Sequence, residues 1–432
     1  MKRKIEPKLI AWRDRKDRKP LLINGARQVG KSYILDWFGE NYFDSYVRIS
    51  LDKNDLVRNY LKENIDPHHI IQFIETLYNK RLEQGKSLIV FDEIQSSSRA
   101  LLSLKYFCEE APEYHIAAAG SLLGVAVSRE EEYSYPVGKV NELQMFPLDF
   151  EEFLWANGKE LLAEKIKEHY RNNEPMSGAE HELALSFYKQ YLIIGGMPKV
   201  VTTFIETNSY INVAEEQKEI LDAYLRDMSK YATPVQSVKI RACYNSIPAQ
   251  LAKENKKFQY KMVKKGATST LFGETFDWLE QSGIILKCNK IEHGFLPISV
   301  YRDLGDFKVY MSDTGMLTMK TGIPAAVVLS SGEIANTFLG ALTENYVAQT
   351  LSANGFPLYY WKGNNTMELD FVIQNGTDVI PIEVKTGIRV KSQSLNFFIK
   401  EYKCRYAYRI SQKNFGYENG IKSIPLYATF CI

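Results

Sequence analysis

Residues 25–32 read Gly-Ala-Arg-Gln-Val-Gly-Lys-Ser, which fits the spacing G-x-x-x-x-G-K-[ST]. Glycines at these places let backbone N–H groups converge on an anion at a helix N-terminus. The residues expected to contact a nucleotide are Gly25, Ala26, Arg27, Gln28, Val29, Gly30, Lys31, Ser32 and Tyr33. Lys31 can reach the β- and γ-phosphates, and the Ser32 hydroxyl can ligate Mg²⁺. The sequence therefore predicts a phosphate-binding loop.

Two acids follow a second apolar run. Residues 87–91 have the pattern of a buried parallel strand, and Asp92 and Glu93 come next. Downstream of a phosphate loop this is the Walker B arrangement, in which Asp92 holds Mg²⁺ through water and Glu93 orients the attacking water. A strand that merely runs into a polar turn would give the same letters. The Asp-Glu pair, rather than a lone Asp, favours hydrolysis over nucleotide binding alone.

The elements that must position these groups alternate along the chain. Residues 21–24, 46–52, 115–119 and 140–145 have strand patterns, and residues 33–38 and 68–84 have helical spacing. Such alternation predicts a parallel sheet with helices on both faces. Ser121 follows the strand at 115–119, so it is a candidate to sense the γ-phosphate and position water. A role only in the turn is the alternative.

A second set of acids lies near the C-terminus. Asp370 and Glu383 are separated by twelve residues, Glu383-Val384-Lys385 places an acid and a lysine on one strand face, and Glu344 lies on a preceding helix. Asn375-Gly376 between the two strands is a hairpin signal. The carboxylates could hold Mg²⁺ and Lys385 could activate water. A hairpin carrying solvated charges is the alternative.

Composition sets broad limits. The chain has 432 residues, 45% hydrophobic and 25% charged, which is typical of a soluble globular protein of several domains. A net charge of +2 excludes a polycation. The positive charge is local: residues 1–19 hold nine Lys/Arg against three Asp/Glu, and residues 236–295 hold ten against five.

Cysteine and histidine spacing excludes several kinds of site. The five cysteines are scattered and form no C-x-x-C, which argues against a disulfide framework and a structural zinc site and fits a reducing cytosol. The six histidines show no ligand spacing. The basic N-terminus lacks the apolar core of a secretory signal, and no apolar run is long enough to span a membrane. We therefore expect a cytoplasmic protein with no membrane contact.

The middle of the chain has two patterns. Residues 156–235 are predicted to be mostly helical, and the adjacent Arg226 and Asp227 do not share a helix face. Residues 236–305 read as helices followed by strands at 284–288 and 295–300, which is typical of a winged helix. Six lysines in residues 253–265 lie beside aromatic residues and suit contacts with a phosphate backbone. A solvated charged face, or a protein-binding face, is the alternative.

Four motifs carry a family resemblance: GARQVGKS, LIVFDEIQ, AGSLL and PLDFEEFL. The chain resembles the prokaryotic AAA-type, archaeal-ATPase-like P-loop ATPases that have a C-terminal domain of unknown function, and GGMPKVV and MSDTGML extend the resemblance. It implies ATP and Mg²⁺ as ligands. Relatives have Gly-Arg where this chain has Gly138-Lys139, and a lysine lacks the planar fork of an arginine finger. Arg129 is an alternative donor, and Arg99 a weaker one.

The C-terminal residues also resemble the PD-(D/E)xK nucleases, with Leu369 in the place of the proline. The two resemblances together imply an α/β protein of four parts. These are a P-loop ATPase domain at 1–155, a helical linker or lid at 156–235, a winged-helix-like domain at 236–305 and a nuclease-like α/β domain at 306–432.

Three functions follow as hypotheses. The first is a Mg²⁺-dependent ATPase that couples hydrolysis to a conformational change. DNA or another nucleic acid is a candidate partner for it. The second is a slowly hydrolysing switch or scaffold for a protein partner. The third is an ATP-regulated, metal-dependent nuclease. A GTPase is not favoured, because none of the three Asn-Lys pairs of the chain is followed by x-Asp.

Overall fold

The computed structural model describes residues 1–121, 135–230, 232–253, 256–330, 336–363, 367–387 and 393–432. The chain divides into two compact units. The N-terminal unit holds residues 2–146 and 281–283, and the C-terminal unit holds residue 1, residues 147–280 and residues 284–432.

The N-terminal unit is built on a parallel sheet with the strand order β2-β3-β4-β1-β5. Its strands are β1 Leu21–Asn24, β2 Ser45–Ser50, β3 Ser87–Asp92, β4 His115–Gly120 and β5 Asn141–Gln144. Its helices are α1 Glu6–Asp14, α2 Lys31–Tyr42, α3 Asp55–Glu63, α4 Pro67–Tyr78 and α5 Ser98–Glu110. Every residue of β3 and β4 is buried, as their apolar runs predict. The predicted parallel sheet is confirmed.

Helix α4 is shorter than its sequence pattern predicts. The helical spacing runs over residues 68–84, but the helix ends at Tyr78. Asn79 takes the left-handed conformation with φ 48°, and its N–H donates to the carbonyl of Glu75. Asparagine tolerates this conformation well, so it ends the helix although apolar spacing continues beyond it.

The C-terminal unit begins with helices and ends with two sheets. Its helices are α6 Phe150–Ala156, α7 Glu160–Asn172, α8 Gly178–Ile194, α9 Pro198–Thr207, α10 Tyr210–Lys230, α11 Pro234–Leu251, α12 Tyr260–Val263, α13 Ser269–Gln281, α14 Thr314–Thr321, α15 Ala325–Leu329, α16 Asn336–Ala353 and α17 Gln393–Tyr402. Its strands are β6 Ile285–Ile291, β7 Arg302–Met311, β8 Tyr359–Lys362, β9 Glu368–Leu369, β10 Phe371–Asn375, β11 Asp378–Val384, β12 Ala407–Ser411, β13 Gly416–Glu418 and β14 Ile421–Pro425. The strand orders are β7-β6-β8-β9 and β10-β11-β12-β14-β13. The predicted helical character of residues 156–235 is confirmed.

The strand predicted at 295–300 is wrong. Residues Ile298–Tyr301 form a short 3₁₀ helix capped by Pro297, and the strand that pairs with β6 is β7. Proline has no N–H to donate to a ladder, which disfavours a strand through this segment. Strand β6 also pairs with β8, so this sheet joins the predicted winged-helix segment to the chain beyond it. The predicted boundary at 305/306 lies within β7, and the winged helix stays a prediction.

Two of the three C-terminal acids lie on the predicted elements, Glu344 on α16 and Glu383 on β11. The strand predicted over 367–373 is interrupted at Asp370, which lies between β9 and β10. Strands β10 and β11 form an antiparallel hairpin, and Gly376 has φ 58° in its turn. The hairpin predicted from Asn375-Gly376 is confirmed. Strand β11 continues the sheet by pairing in parallel with β12.

Two glycine motifs have a packing role. A Cβ on Gly196 would lie 1.9 Å from the carbonyl oxygen of Leu148, so this approach needs glycine. The Gly196 N–H donates to Asp313 Oδ2 at 2.6 Å, and Asp313 also caps α14 by accepting from the Met316 N–H. GGMP and SDTG, which carry part of the family resemblance, therefore hold the C-terminal unit together.

The sequence predicts neither a disulfide framework nor a membrane-spanning helix. All five cysteines are free thiols. Among the described residues, no helix has both the length and the apolar character needed to cross a bilayer.

Candidate functional sites

The phosphate-binding loop joins β1 to α2. Gly25 has φ 152°, and a Cβ there would lie 2.2 Å from the carbonyl oxygen of Met145. Gly30 has φ 95° and is the N-cap of α2, which begins at Lys31. Ser32 and Tyr33 therefore lie in the first turn, where free backbone N–H groups point toward a ligand. The two glycines are needed for the backbone path, as predicted.

Lys31 lies over this loop. Its side chain is buried, and Nζ donates to the carbonyl oxygens of Gly25 at 2.9 Å and Ala26 at 2.8 Å. Burial lowers the pKa of Lys31 to about 8, although the nearby Glu93 and Asp92 oppose this shift. Because neutral carbonyls are weak partners for an ammonium group, phosphate oxygens can replace them with a gain in electrostatic energy. The lysine suits an anion at this place.

The acids of the Walker B segment lie at the carboxyl end of β3, with Asp92 as its last residue and Glu93 directly after it. Asp92 is buried, and its Oδ1 accepts from the Glu93 N–H at 3.1 Å. Glu93 has φ 52°, a conformation that costs energy for a residue with a side chain and is often found at functional sites. Its carboxylate accepts a hydrogen bond from the side-chain amide of Gln95. Backbone strain at Glu93 and a buried carboxylate at Asp92 thus coincide at the predicted place.

The sheet order brings the predicted groups together. Strand β4 lies between β1 and β3, and all three run in parallel, so their carboxyl ends share one edge. Ser121 follows β4 directly and is 7% exposed. A phosphate-binding loop, two acids and a hydroxyl at one edge fit a magnesium nucleotide. Ser32 and Asp92 are the residues that would hold the metal.

Arg48 is a charged member of this site that the sequence did not single out. It lies on β2, and its Nη1 is 2.9 Å from Asp92 Oδ2, while its Nε is 2.8 Å from Asp36 Oδ1. A signal was available. Val47 and Ile49 are buried, so strand alternation places Arg48 on the opposite face, beside the next strand and its acid.

The C-terminal acids have a different environment. Glu344 on α16 is 3% exposed and accepts hydrogen bonds from Tyr310 Oη and Lys256 Nζ. Lys308 Nζ lies 3.3 Å from Glu344 Oε1 and 2.7 Å from Glu368 Oε1. Although burial opposes it, the ammonium groups of Lys256 and Lys308 hold the pKa of Glu344 below its usual value. This carboxylate is already neutralised by the protein.

The other predicted members of this cluster also have protein partners. Asp370 Oδ2 accepts from the Val384 N–H at 2.7 Å, and burial followed by the charge of Glu344 raises the pKa of Asp370. Glu383 is buried, and Lys385 Nζ lies 3.3 Å from its Oε1, which confirms that these two side chains share a strand face. No group of three or more His, Cys, Asp or Glu in the described parts of the chain is arranged to hold a metal ion.

Lys308 and Tyr310 were missed by sequence reasoning. They lie two residues apart in the buried second half of β7, so they share one face of that strand. A lysine at such a position needs a buried acid, and that requirement is a usable signal.

Comparison with known proteins decides the nature of the N-terminal part. Residues 17–154 match the family model described as an AAA domain. This part of the chain is an AAA domain of the P-loop ATPase type. Residues 186–326 and 339–429 match two further families, each described as a domain of unknown function. The resemblance to AAA-type ATPases with a C-terminal domain of unknown function is confirmed, and the nuclease-like resemblance stays a prediction.

Several solved structures are similar to this chain. The Walker-type ATPase PABY2304 of Pyrococcus abyssi is 15% identical, with 73% of this chain and 95% of that chain covered and a TM-score of 0.45. The Aeropyrum pernix ORC2 protein, solved as ADPNP-ADP complexes, is 9% identical over 79% and 94%, with a TM-score of 0.38. The Thermotoga maritima RuvB Holliday junction branch migration motor is 12% identical over 65% and 87%, with a TM-score of 0.31. At these TM-scores the likeness decides nothing about this chain. No curated protein sequence matches it.

The arginine-finger candidates of the AAA domain are engaged elsewhere or lie outside the described residues. Lys139 Nζ is 2.8 Å from Glu109 Oε1, so it forms an ion pair on the surface. Arg99 Nε donates to the carbonyl of Leu61 at 3.3 Å. Arg129 and the leucines of AGSLL lie in residues 122–134, outside the described residues. A trans-acting finger stays a prediction.

The predicted basic run is divided between paired and exposed lysines. Lys256 pairs with Glu344, and Lys257 Nζ lies 2.7 Å from Asp306 Oδ1. Lys261, Lys264 and Lys265 are exposed and form no ion pair with the described residues. Lys253 is exposed as well, so these four lysines can meet a phosphate backbone. In α10, Arg226 is exposed and Asp227 buried, which confirms that they face different sides.

Proposed function

We propose that the AAA domain binds ATP with Mg²⁺ and hydrolyses it. The observation that carries this proposal is the meeting of Lys31, the Asp92-Glu93 pair and Ser121 at one edge of the sheet, after strands β1, β3 and β4. Nucleotide binding alone would not need the second acid. Glu93, in its strained conformation, is the residue that distinguishes a hydrolase from a nucleotide-binding protein.

Each residue has a separate role. The N–H groups of residues 25–33 and the ammonium of Lys31 hold the phosphates, and Ser32 and Asp92 hold the metal. The metal neutralises charge on the phosphates. Glu93 accepts a hydrogen bond from the attacking water and orients it, after its carboxylate leaves the Gln95 amide. Ser121 is placed to contact the γ-phosphate or that water.

Substitution of Glu93→Gln tests the proposal. We expect ATP binding to be kept and turnover to fall by about 10²-fold or more, because the carboxylate that orients and polarises water is lost. Glu110→Gln, an exposed change on α5, is the matched control and should leave both unchanged. Phosphate release and equilibrium binding of a fluorescent ATP analogue measure the two effects. Equal turnover in wild type and Glu93→Gln would falsify the assignment.

Coupling of hydrolysis to a conformational change in the rest of the chain is part of the same proposal. The alternative is a switch or scaffold in which slow hydrolysis reports a state to a protein partner. Turnover measured with and without DNA separates them. Stimulation by DNA supports coupling on nucleic acid, whereas slow turnover that DNA leaves unchanged supports the switch.

Nucleic-acid binding is a second proposal, supported by the exposed Lys261, Lys264 and Lys265. Each phosphate contact that is lost should reduce the slope of log affinity against log salt by about 0.9 for duplex DNA. We expect Lys264→Gln/Lys265→Gln to weaken DNA binding and flatten this slope. Lys257→Gln, whose lysine is already paired with Asp306, should have less effect. Fluorescence anisotropy over a salt series measures both, and binding insensitive to salt would contradict an electrostatic interface.

A metal-dependent nuclease activity at Glu344, Asp370, Glu383 and Lys385 has weaker support, because Lys256 and Lys308 already neutralise Glu344. If it exists, wild-type protein with Mg²⁺ or Mn²⁺ should cut DNA or RNA, and Asp370→Ala should not. Cleavage that is absent in wild type, or unchanged in Asp370→Ala, rules it out.

A further inference from the structure

We propose that Arg48 is a built-in counter-cation of the magnesium site: its guanidinium joins Asp36 to Asp92 and competes with the divalent cation for Asp92. The proposal deepens the proposed function, since it concerns the metal site of the AAA domain and assigns a positioning residue to it. It rests on the contacts of Arg48 with Asp36 and Asp92, which are not part of the phosphate-loop or Walker B motif.

The geometry places one arginine between two acids. Arg48 Nη1 lies 2.9 Å from Asp92 Oδ2, and Arg48 Nε lies 2.8 Å from Asp36 Oδ1. Asp92 is only 5% exposed, and its Oδ1 is occupied by the Glu93 N–H at 3.1 Å. Both oxygens of the carboxylate that should serve the metal are therefore engaged by the protein, and one of them by a full positive charge.

Asp36 belongs to the same region as the metal ligands. It follows Ser32 by four residues on α2, so the two side chains lie on one face of the helix about one turn apart. Tyr46 Oη donates a hydrogen bond to Asp36, which fixes this carboxylate from β2. Asp36 on α2 and Asp92 on β3 thus both contact Arg48, which is the cation between the two carboxylates.

The charge of Arg48 controls how this site meets a divalent cation. Two carboxylates that converge without a cation repel each other and attract a divalent ion, whereas a guanidinium between them satisfies both. A cation that approaches Asp92 must displace or share the Arg48 contact. We infer that Arg48 prevents the site from taking up a bare divalent ion, so that metal binding depends on the phosphates that arrive with it.

Binding of Mn²⁺ in the absence of nucleotide tests this inference. Titration followed by electron paramagnetic resonance should show weak or no site binding in wild type. Arg48→Gln should bind Mn²⁺ at least about tenfold more tightly, because the competing charge is removed. Adding Asp36→Asn to Arg48→Gln should abolish most of that gain. Arg58→Gln, which removes an arginine that pairs with Asp55 on α3, is the matched control.

Two outcomes overturn the inference: Arg48→Gln binds Mn²⁺ no better than wild type, or the Asp36→Asn change leaves its gain intact. If Arg48→Gln does not fold, Arg48→Lys replaces it in the test. Lysine keeps the positive charge but lacks the fork that reaches both acids, so its Mn²⁺ affinity should lie between that of wild type and that expected for Arg48→Gln. No gain in a folded Arg48→Lys variant then counts against the inference. The Mn²⁺ titrations contain no nucleotide. A failure of the protein to bind or hydrolyse ATP would therefore refute the proposed function, and the titrations would still test the role of Arg48.

Discussion

Lys31 and Lys308 are both buried lysines, and their environments are opposite. Lys31 donates to two backbone carbonyls in the AAA domain, whereas Lys308 lies between the carboxylates of Glu344 and Glu368 in the C-terminal unit. Burial lowers the pKa of Lys31 to about 8. Burial also acts to lower the pKa of Lys308, but Glu344, Glu368 and Asp370 outweigh it and raise the pKa well above its ordinary value.

The difference separates a ligand site from a structural ion network. A lysine held by neutral carbonyls gains energy when an anion replaces them, so its place in the loop suits a function that binds and releases phosphate. A lysine between the buried Glu344 and the partly exposed Glu368 has no such exchange available, because its departure would leave the buried carboxylate with Lys256 as its remaining cation. We therefore expect substitution of Lys31 to weaken ATP binding and substitution of Lys308 to lower the unfolding free energy.

The largest effect is expected for Lys308→Met. Removing one partner from a buried ion network costs about 3–5 kcal/mol of unfolding free energy, and methionine keeps much of the packing. Chemical denaturation of the full chain measures the change. Lys290→Met, on the neighbouring strand of the same sheet, is the control, and its more exposed pair with Asp303 should be worth less than about 1 kcal/mol.

A second variant separates charge from packing at this position. In Lys308→Met/Glu368→Gln one of the two carboxylates that lose the Lys308 contact is neutralised, so part of the lost stability should return. If Lys308→Met is as stable as wild type, the contrast between the two lysines does not hold.

Lys31→Ala is expected to act on binding and not on stability. Loss of the ammonium should weaken ATP binding by about 10²-fold, near 2.7 kcal/mol, since a charge-assisted contact to phosphate is removed. The unfolding free energy should change little, because the hydrogen bonds of the lysine go to neutral carbonyls and its burial as a charge is unfavourable. Calorimetric titration with ATP and denaturation of the same samples test both statements. A Lys31→Ala variant with a lower unfolding free energy than wild type but the same ATP affinity would contradict this comparison.

The smallest effect concerns pH and Asp370. Burial and then Glu344 raise its pKa, so between its ordinary value near 4 and the raised value the folded chain binds more protons than the unfolded chain. Its contribution is therefore stabilising at low pH and is lost as pH rises through the raised pKa. Asp370→Asn should flatten the dependence of unfolding free energy on pH in that interval. Asp378→Asn, at the start of β11 in the same hairpin, is the control, and an unchanged pH profile in Asp370→Asn would contradict the shift.

Local patterns predicted the AAA domain well. The glycine spacing, the apolar runs that end in Asp92 and Ser121, and the order of strands and helices are properties of short segments, and the structure keeps them in place. The strand at 295–300 and the end of α4 were wrong because a proline and a left-handed asparagine override apolar spacing. The hairpin at Asn375-Gly376 was right because its turn chemistry is local.

The sequence by itself determined which residues could carry phosphate chemistry, since residue type and spacing in one loop and two strand ends decide that. Only the tertiary structure decided which arginine and lysine side chains contact Asp92 and Glu344. Arg48 reaches Asp92 across paired strands, and Lys308 reaches Glu344 from a strand to a helix 36 residues away in sequence. Such charge pairs leave no periodic trace in the chain, because burial and long-range packing create them.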